Sequence, residues 1–183
     1  VGPGPGTWTK LFLEVNPAAQ YTLVDISREM LAQAQKGLKD WANVIFIESD
    51  FLEFESPQLF DFFFSSRAIE YMPDKRTAVR KIASLLAPGA HGVIITETPK
   101  YFFDSLRHRK VADLHRGQIA PQELVKILRT AGLRVAGVYA TTATVPIIGS
   151  VFLNRGAFQL IRRLPLFYPL PRLTESYCVI FKK

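Results

Sequence analysis

Glycine stands at every second position of Gly2-Pro3-Gly4-Pro5-Gly6, and Asp25 closes the apolar run Tyr21-Thr22-Leu23-Val24. Three alternating glycines leave a turn without side chains, so backbone can approach a ligand closely. A carboxylate at the tip of the next strand can accept both hydroxyls of a ribose, and the chemistry implied is nucleoside binding. A second acid, in Ser49-Asp50-Phe51, follows the apolar run Val44-Ile45-Phe46-Ile47. Each acid alone has a simpler use: Asp25 can cap the helix that follows, as Ser27 can, and Asp50 can be a surface turn residue. Glycines followed by acids at two successive strand ends form a constellation.

Fewer residues are suited to proton transfer. Glu70 and Tyr71 lie in a loop that opens on the carboxyl edge of a sheet, where doubly wound folds bind ligands. His108 and His115, in Arg107-His108-Arg109-Lys110 and Leu114-His115-Arg116, could each supply a base that titrates near neutrality, or simply be solvated loop residues. No group of Cys, His, Asp and Glu has metal-ligand spacing, so no metal is expected.

The elements that must position these groups follow from periodicity. Short Val/Ile/Phe-rich runs alternate with amphipathic segments through the first 140 residues, the pattern of an α/β chain with a doubly wound, mostly parallel sheet and helices on both faces. Strands are expected near 20–25, 44–48, 59–65, 91–97, 133–143 and 175–182, and helices near 7–15, 27–38, 74–86 and 121–131. Ser27 and Asp74 are placed as helix caps and Pro121 at a first turn, while Pro88-Gly89 and Ala131-Gly132 mark helix exits. Leu59 to Phe64 is apolar on both faces, as a covered central strand would be. Residues 98–118 and 144–173 break the alternation and read as lid-like insertions into a single domain spanning 1–183.

A chain of 183 residues, 48% hydrophobic and 21% charged, suits one soluble domain with one large core. Its single cysteine, Cys178, lies in an apolar run that excludes an internal disulfide and fits a buried thiol in a reducing cytoplasm. The strand that should lead into the glycine loop lies almost wholly ahead of Val1, so the chain reads as truncated there. Charge is uneven: residues 1–98 hold nine Lys/Arg against twelve Asp/Glu, and residues 99–183 hold fourteen against four. No acid occurs from Leu124 to Thr174, a surface suited to phospholipid headgroups, a phosphorylated substrate or nucleic acid, or else a solvated basic face. Residues 151–164 form a basic amphipathic helix, with Leu153, Ala157, Leu160, Ile161 and Leu164 opposite Arg155, Gln159, Arg162 and Arg163. That helix can pack on the sheet, cover a hydrophobic substrate or lie on an anionic membrane as a peripheral contact. Residues 135–154 lack charge, but their glycines, proline and threonines do not suit a membrane span.

The glycine spacing is G-x-G-x-G, and Thr7 stands where a dinucleotide fingerprint needs a third small residue. With Asp25 and Ser49-Asp50-Phe51, the first 100 residues resemble the class I S-adenosylmethionine-dependent methyltransferases. The runs Ala68-Ile69-Glu70-Tyr71-Met72-Pro73-Asp74 and Leu85-Leu86-Ala87-Pro88-Gly89-Ala90 are similar to that family's loop before the next helix and to its helix-to-strand turn.

The resemblance implies a seven-stranded type of sheet with its last strand antiparallel, and S-adenosylmethionine as cofactor. Gly2, Gly4 and Gly6 would lie beneath its methionine and ribose parts, and Asp25 would accept from the ribose. Ile26 would flank the adenine, Asp50 would accept from its amine, and Phe51 would lie beside the ring. Ser66 and Arg67, after the fourth strand of such a sheet, would border cofactor and acceptor. Many relatives have histidine where Glu70 and Tyr71 stand, so the resemblance assigns no catalytic base. The expected activity is methyl transfer to an O, N or C atom of a small-molecule or lipid-like acceptor. The alternatives are a nucleic-acid methyltransferase and a non-catalytic cofactor-binding or membrane-associated module.

Overall fold

A computed structural model describes residues 1–99, 117–142, 151–161 and 175–183. The chain forms two compact units, Val1–Gln58 and Leu59–Lys183.

In the first unit, helix α1 (Thr7–Val15) leads to β1 (Tyr21–Asp25), and helix α2 (Arg28–Gly37) leads to β2 (Val44–Glu48). The strands pair in parallel, from Tyr21 opposite Val44 to Asp25 opposite Glu48. This register brings the last residue of β1 level with the end of β2, so the turns that follow both strands open at one edge. Helix α2 starts where Ser27 Oγ accepts the Met30 amide at 3.3 Å, and Glu29 and Lys36 complement its dipole at the two ends. Leu13, Leu23, Ala34, Leu38 and Val44 make the core, with Tyr21, Trp41 and Phe46 packed against it. The Tyr21 hydroxyl lies 2.9 Å from the Phe12 and Asn16 carbonyls, bracing the end of α1, where the Asn16 amide also donates to Phe12 O at 2.8 Å.

The second unit holds β3 (Phe60–Ser66), a 3-10 turn (Ile69–Tyr71), helix α3 (Lys75–Leu85) and β4 (Leu86–Glu97). Helix α4 (Pro121–Thr130), β5 (Arg134–Thr142), helix α5 (Val151–Ile161) and β6 (Ser176–Lys182) complete it. The sheet order is β3-β4-β6-β5. β3 and β4 are parallel, and β6 runs antiparallel to both β4 and β5.

Asp74 caps α3 by accepting from the Arg76 amide at 2.8 Å and the Thr77 hydroxyl at 2.6 Å, which lowers its pKa. Helix α4 begins with Pro121 at its first turn and buries Leu124, Ile127 and Leu128.

Three details depart from the sequence reading. β4 begins at Leu86 rather than near 91, because Leu86 already pairs with Phe60 and the Pro88-Gly89 turn is held against the chain end, Gly89 N–H to Lys183 O at 3.0 Å. β3 lies at the edge of its four-stranded sheet, and Phe62 is 48% exposed. Cys178 is half-buried rather than fully enclosed, and burial pushes its thiol pKa up. The expected insertions at 98–118 and 144–173 lie largely outside the described residues. Among the described residues, no helix is long and apolar enough to cross a membrane.

Helix α4 ends in a Schellman turn, with Leu133 N–H on Leu128 O at 3.0 Å, Gly132 N–H on Arg129 O at 3.1 Å, and Gly132 at φ 82°. Gly132→Ala forces a Cβ into the left-handed region and should lower stability by about 1–2 kcal/mol in urea unfolding.

Candidate functional site

The first unit builds its candidate site from the loop ahead of α1. Gly2, Gly4 and Gly6 all have positive φ, at 61°, 54° and 85°. The loop is tied down at both ends: Gly2 N–H donates to Val24 O at 2.9 Å, and Gly6 N–H to Pro3 O at 3.1 Å. The outer two of the last three positions differ in what surrounds them. A Cβ on Gly6 would meet Leu38 Cδ1 at 3.1 Å, whereas a Cβ on Gly4 would meet nothing within 4 Å. Gly6 therefore serves packing as well as conformation, and Gly4 leaves open backbone beside which a ligand can lie. No side chain caps α1, and the helix dipole favours an acceptor or anion at its start.

Asp25 and Asp50 end β1 and follow β2. Asp25 Oδ1 accepts the Ser27 amide at 2.9 Å, an Asx turn, and Ser27 itself caps α2. Asp25 is thus not spent on the helix cap, and Oδ2 has no described hydrogen bond. Asp50 is exposed, with Oδ1 on the Leu52 amide at 2.8 Å. Ile26 is 72% exposed, and Phe51 is buried in the core of its unit. Every residue of the first unit singled out by the sequence therefore sits in the glycine loop or at the ends of β1 and β2, Phe51 with its ring turned inward.

The second unit carries a buried polar cluster at the carboxyl ends of β3 and β4. Glu70 is 3% exposed, and its Oε1 accepts from the Thr96 hydroxyl at 3.2 Å and the Glu97 amide at 3.0 Å. Arg67 pairs with Glu97 Oε1, and Gln118 Nε2 donates to Glu97 Oε2 at 2.6 Å. Arg67 is the single non-glycine residue of positive φ, at 60°, among the described residues. Lys75 donates to the Glu70 and Met72 carbonyls, and burial lowers its pKa against the opposing pull of Glu70 and Asp74.

Tyr177 is fully buried and donates to Ile119 O at 2.7 Å; burial first, then Glu70 and Glu123, push its pKa up, so it stays a neutral donor. Ser65 pairs with Ile94, Ile94 and Thr96 share one face of β4 by strand alternation, and Thr98 follows just past the strand's end. Among the described residues the buried Ser65 Oγ and Thr98 Oγ1 have no hydrogen-bond partner, leaving two bonds for water or a bound molecule to supply.

The structure brings Arg67 and Glu70 into this cluster. Ser66 is half-buried at the end of β3, and Tyr71 is 64% exposed beside it in sequence. His108 and His115 lie outside the described residues. Sequence reasoning passed over Glu97, Gln118, Thr96 and Tyr177. Glu97 was readable only as the last residue of a strand, although an acid at a strand's carboxyl end is the same signal that marked Asp25.

Residues 1–89 match the family model described as a methyltransferase domain. Over 99 residues the chain is 32% identical to trans-aconitate 2-methyltransferase of Escherichia coli, a match covering 54% of this chain and 37% of the relative. The match thus spans well under half the length of this curated relative. The fold resembles an S-adenosylmethionine-dependent methyltransferase from Mesorhizobium loti, with a TM-score of 0.69, 20% identity, and coverage of 100% of this chain and 88% of that one. It also resembles the N-methyltransferase NodS of Bradyrhizobium japonicum WM9 in complex with S-adenosylhomocysteine, with a TM-score of 0.65, 19% identity, and coverage of 98% and 73%.

Two substitutions separate the packing role of the loop from its open side. Gly6→Ala meets both a left-handed backbone and the Leu38 side chain, and should cost more stability than Gly4→Ala, which meets the backbone strain alone, about 1–2 kcal/mol. Chemical unfolding of the two variants checks the order, and equal losses would remove the distinction.

Proposed function

We propose that this chain, whose residues 1–89 match the methyltransferase-domain family model, is a class I S-adenosylmethionine-dependent methyltransferase that transfers a methyl group to an O, N or C atom of a small-molecule or lipid-like acceptor. The observation that carries this reading is the left-handed Gly2-Gly4-Gly6 loop, open beside Gly4, together with an Asp25 carboxylate that keeps one oxygen uncommitted.

These residues fit S-adenosylmethionine. Gly2, Gly4 and Gly6 let the backbone lie under its methionine and ribose portions, where a side chain would intrude. Asp25 accepts from the ribose hydroxyls through the oxygen that Ser27 does not occupy. Ile26 offers an exposed apolar surface to the adenine, Asp50 accepts from the adenine amine, and Phe51 backs the Asp50 turn from the core.

The cofactor, when bound, supplies a methyl group already activated on a sulfonium centre. The protein's share of the work is then alignment and exclusion of water, with a base required only if the acceptor must lose a proton. Glu70, with one carboxylate oxygen accepting two hydrogen bonds, is a positioning group; the exposed Tyr71 phenol is freer to meet an acceptor. The name of one relative supports a small-molecule acceptor, since it is a trans-aconitate 2-methyltransferase.

A peripheral membrane contact is a second reading for α5. Phe152 is 83% and Leu153 59% exposed, with Arg155 exposed beside them and no acid on the helix. An apolar pair next to a cation suits an anionic lipid surface. Phe152→Ser combined with Arg155→Glu should then lower sedimentation with phosphatidylglycerol vesicles several-fold, and unchanged sedimentation would discard the contact.

Asp25→Ala tests the cofactor reading. Loss of a charged acceptor should weaken S-adenosylmethionine and S-adenosylhomocysteine binding in calorimetry by roughly ten- to a hundred-fold, with NAD as a control that binds neither protein. Unchanged affinity would remove Asp25 from the ribose.

A further inference from the structure

We infer that Arg67 determines acceptor specificity by holding a carboxylate of the acceptor. The inference rests on the methyl-transfer reading and deepens it, naming small carboxylic acids as the substrate class.

Arg67 follows β3 directly, at the carboxyl edge where doubly wound sheets bind ligands. Its backbone is held there: the amide donates to Ile95 O at 2.8 Å while φ stands at 60°. That conformation is costly for a residue with a Cβ, and it persists because the neighbours over-determine it. The guanidinium is then fixed from one side. Nη2 pairs with Glu97 Oε1, the other Glu97 oxygen is taken by Gln118, and the Glu97 amide is taken by Glu70. Glu97 is largely buried, at 18% side-chain exposure, whereas the Arg67 side chain is 51% exposed and the rest of its guanidinium has no described partner.

This arrangement decides what can bind. The two Glu97 oxygens and Glu70 Oε1 are already accepting, so the charged capacity left at the strand tips is the donor set of the arginine fork, beside the buried Ser65 and Thr98 hydroxyls. A ligand there must bring anionic oxygens, which a planar guanidinium takes in pairs. One carboxylate group brings a single charge to the fork, whatever further carboxylates the ligand carries at a distance, whereas a phosphate monoester brings about two to the same point, against the negative charge that Glu97 already places on the arginine. The unit that carries Arg67, residues 59–183, holds nineteen Lys/Arg against eight Asp/Glu and draws anions toward it.

The test is calorimetry on protein saturated with S-adenosylhomocysteine. Succinate, propane-1,2,3-tricarboxylate and octanoate are titrated against their amides and against glycerol 3-phosphate. At least one acid should bind tenfold or more tightly than its amide and than the phosphate. Arg67→Gly removes the fork while accepting the left-handed backbone, so it tests the side chain without a new backbone strain; thermal unfolding checks its fold. It should lose the acid preference by tenfold or more, read at saturating S-adenosylhomocysteine so that any change in cofactor affinity is separated from it. Arg67→Lys, a point charge without the fork, should retain part of the preference.

Equal binding of acids and amides, tighter binding of the phosphate, or an undiminished preference in Arg67→Gly would overturn the inference while leaving the cofactor reading intact. Failure of the wild-type protein to bind S-adenosylhomocysteine would overturn both.

Discussion

Turning the chain sharply without losing backbone hydrogen bonds is the constraint on which the rest depends. Both units meet it with residues in the left-handed region. In the first, three alternating glycines carry the loop into α1, and the loop stays attached because Gly2 and Gly6 donate their amides to Val24 and Pro3. In the second, Arg67 makes the turn out of β3 with its amide on Ile95. Glycine adopts this conformation at little steric cost, and arginine does not. A bulky residue there is held by something stronger than local preference, and the clamp of Glu97 and Gln118 supplies it.

The polar cluster follows from the same requirement. Sinking the Glu70 carboxylate to 3% exposure is tolerable only with partners, and the Thr96 hydroxyl and Glu97 amide are there to donate. The segment at 117–119 closes over this turn in very tight contact: a Cβ on Gly117 would fall 1.7 Å from Glu70 O. Side chain and backbone thus reinforce each other, with Gln118 reaching Glu97 and Ile119 O receiving Tyr177.

Much of the secondary structure was readable in the sequence because its signals are local. Ser27, Asp74 and Pro121 start helices as their capping chemistry requires, and the glycines of the loop take the conformations that only glycine adopts readily. What escaped was set by partners distant in the chain. Glu97 acquires its role from Gln118, 21 positions on, and from Arg67 across a parallel pair; neither spacing leaves a periodic trace. The early start of β4 depends on Phe60 and Lys183, and the inward Phe51 depends on a core assembled from other elements. The pattern of a continuous apolar run over Leu59 to Phe64 reported hydrophobicity on both faces, yet did not distinguish a central strand from an edge.

The place of β6 governs the order in which the second unit can be assembled. It follows β5 in the chain, yet lies between β5 and β4 and supplies hydrogen bonds to both. Until β6 has been synthesised and released, β4 and β5 have no shared neighbour and both leave a strand edge open. Closure of this sheet is therefore a late, long-range event, made costly by loop entropy and exposed to competing strand pairing. During translation the polar cluster waits as well, since Tyr177 reaches Ile119 from β6. The strand of this sheet that emerges last from the ribosome locks it and secures the segment that covers its polar end.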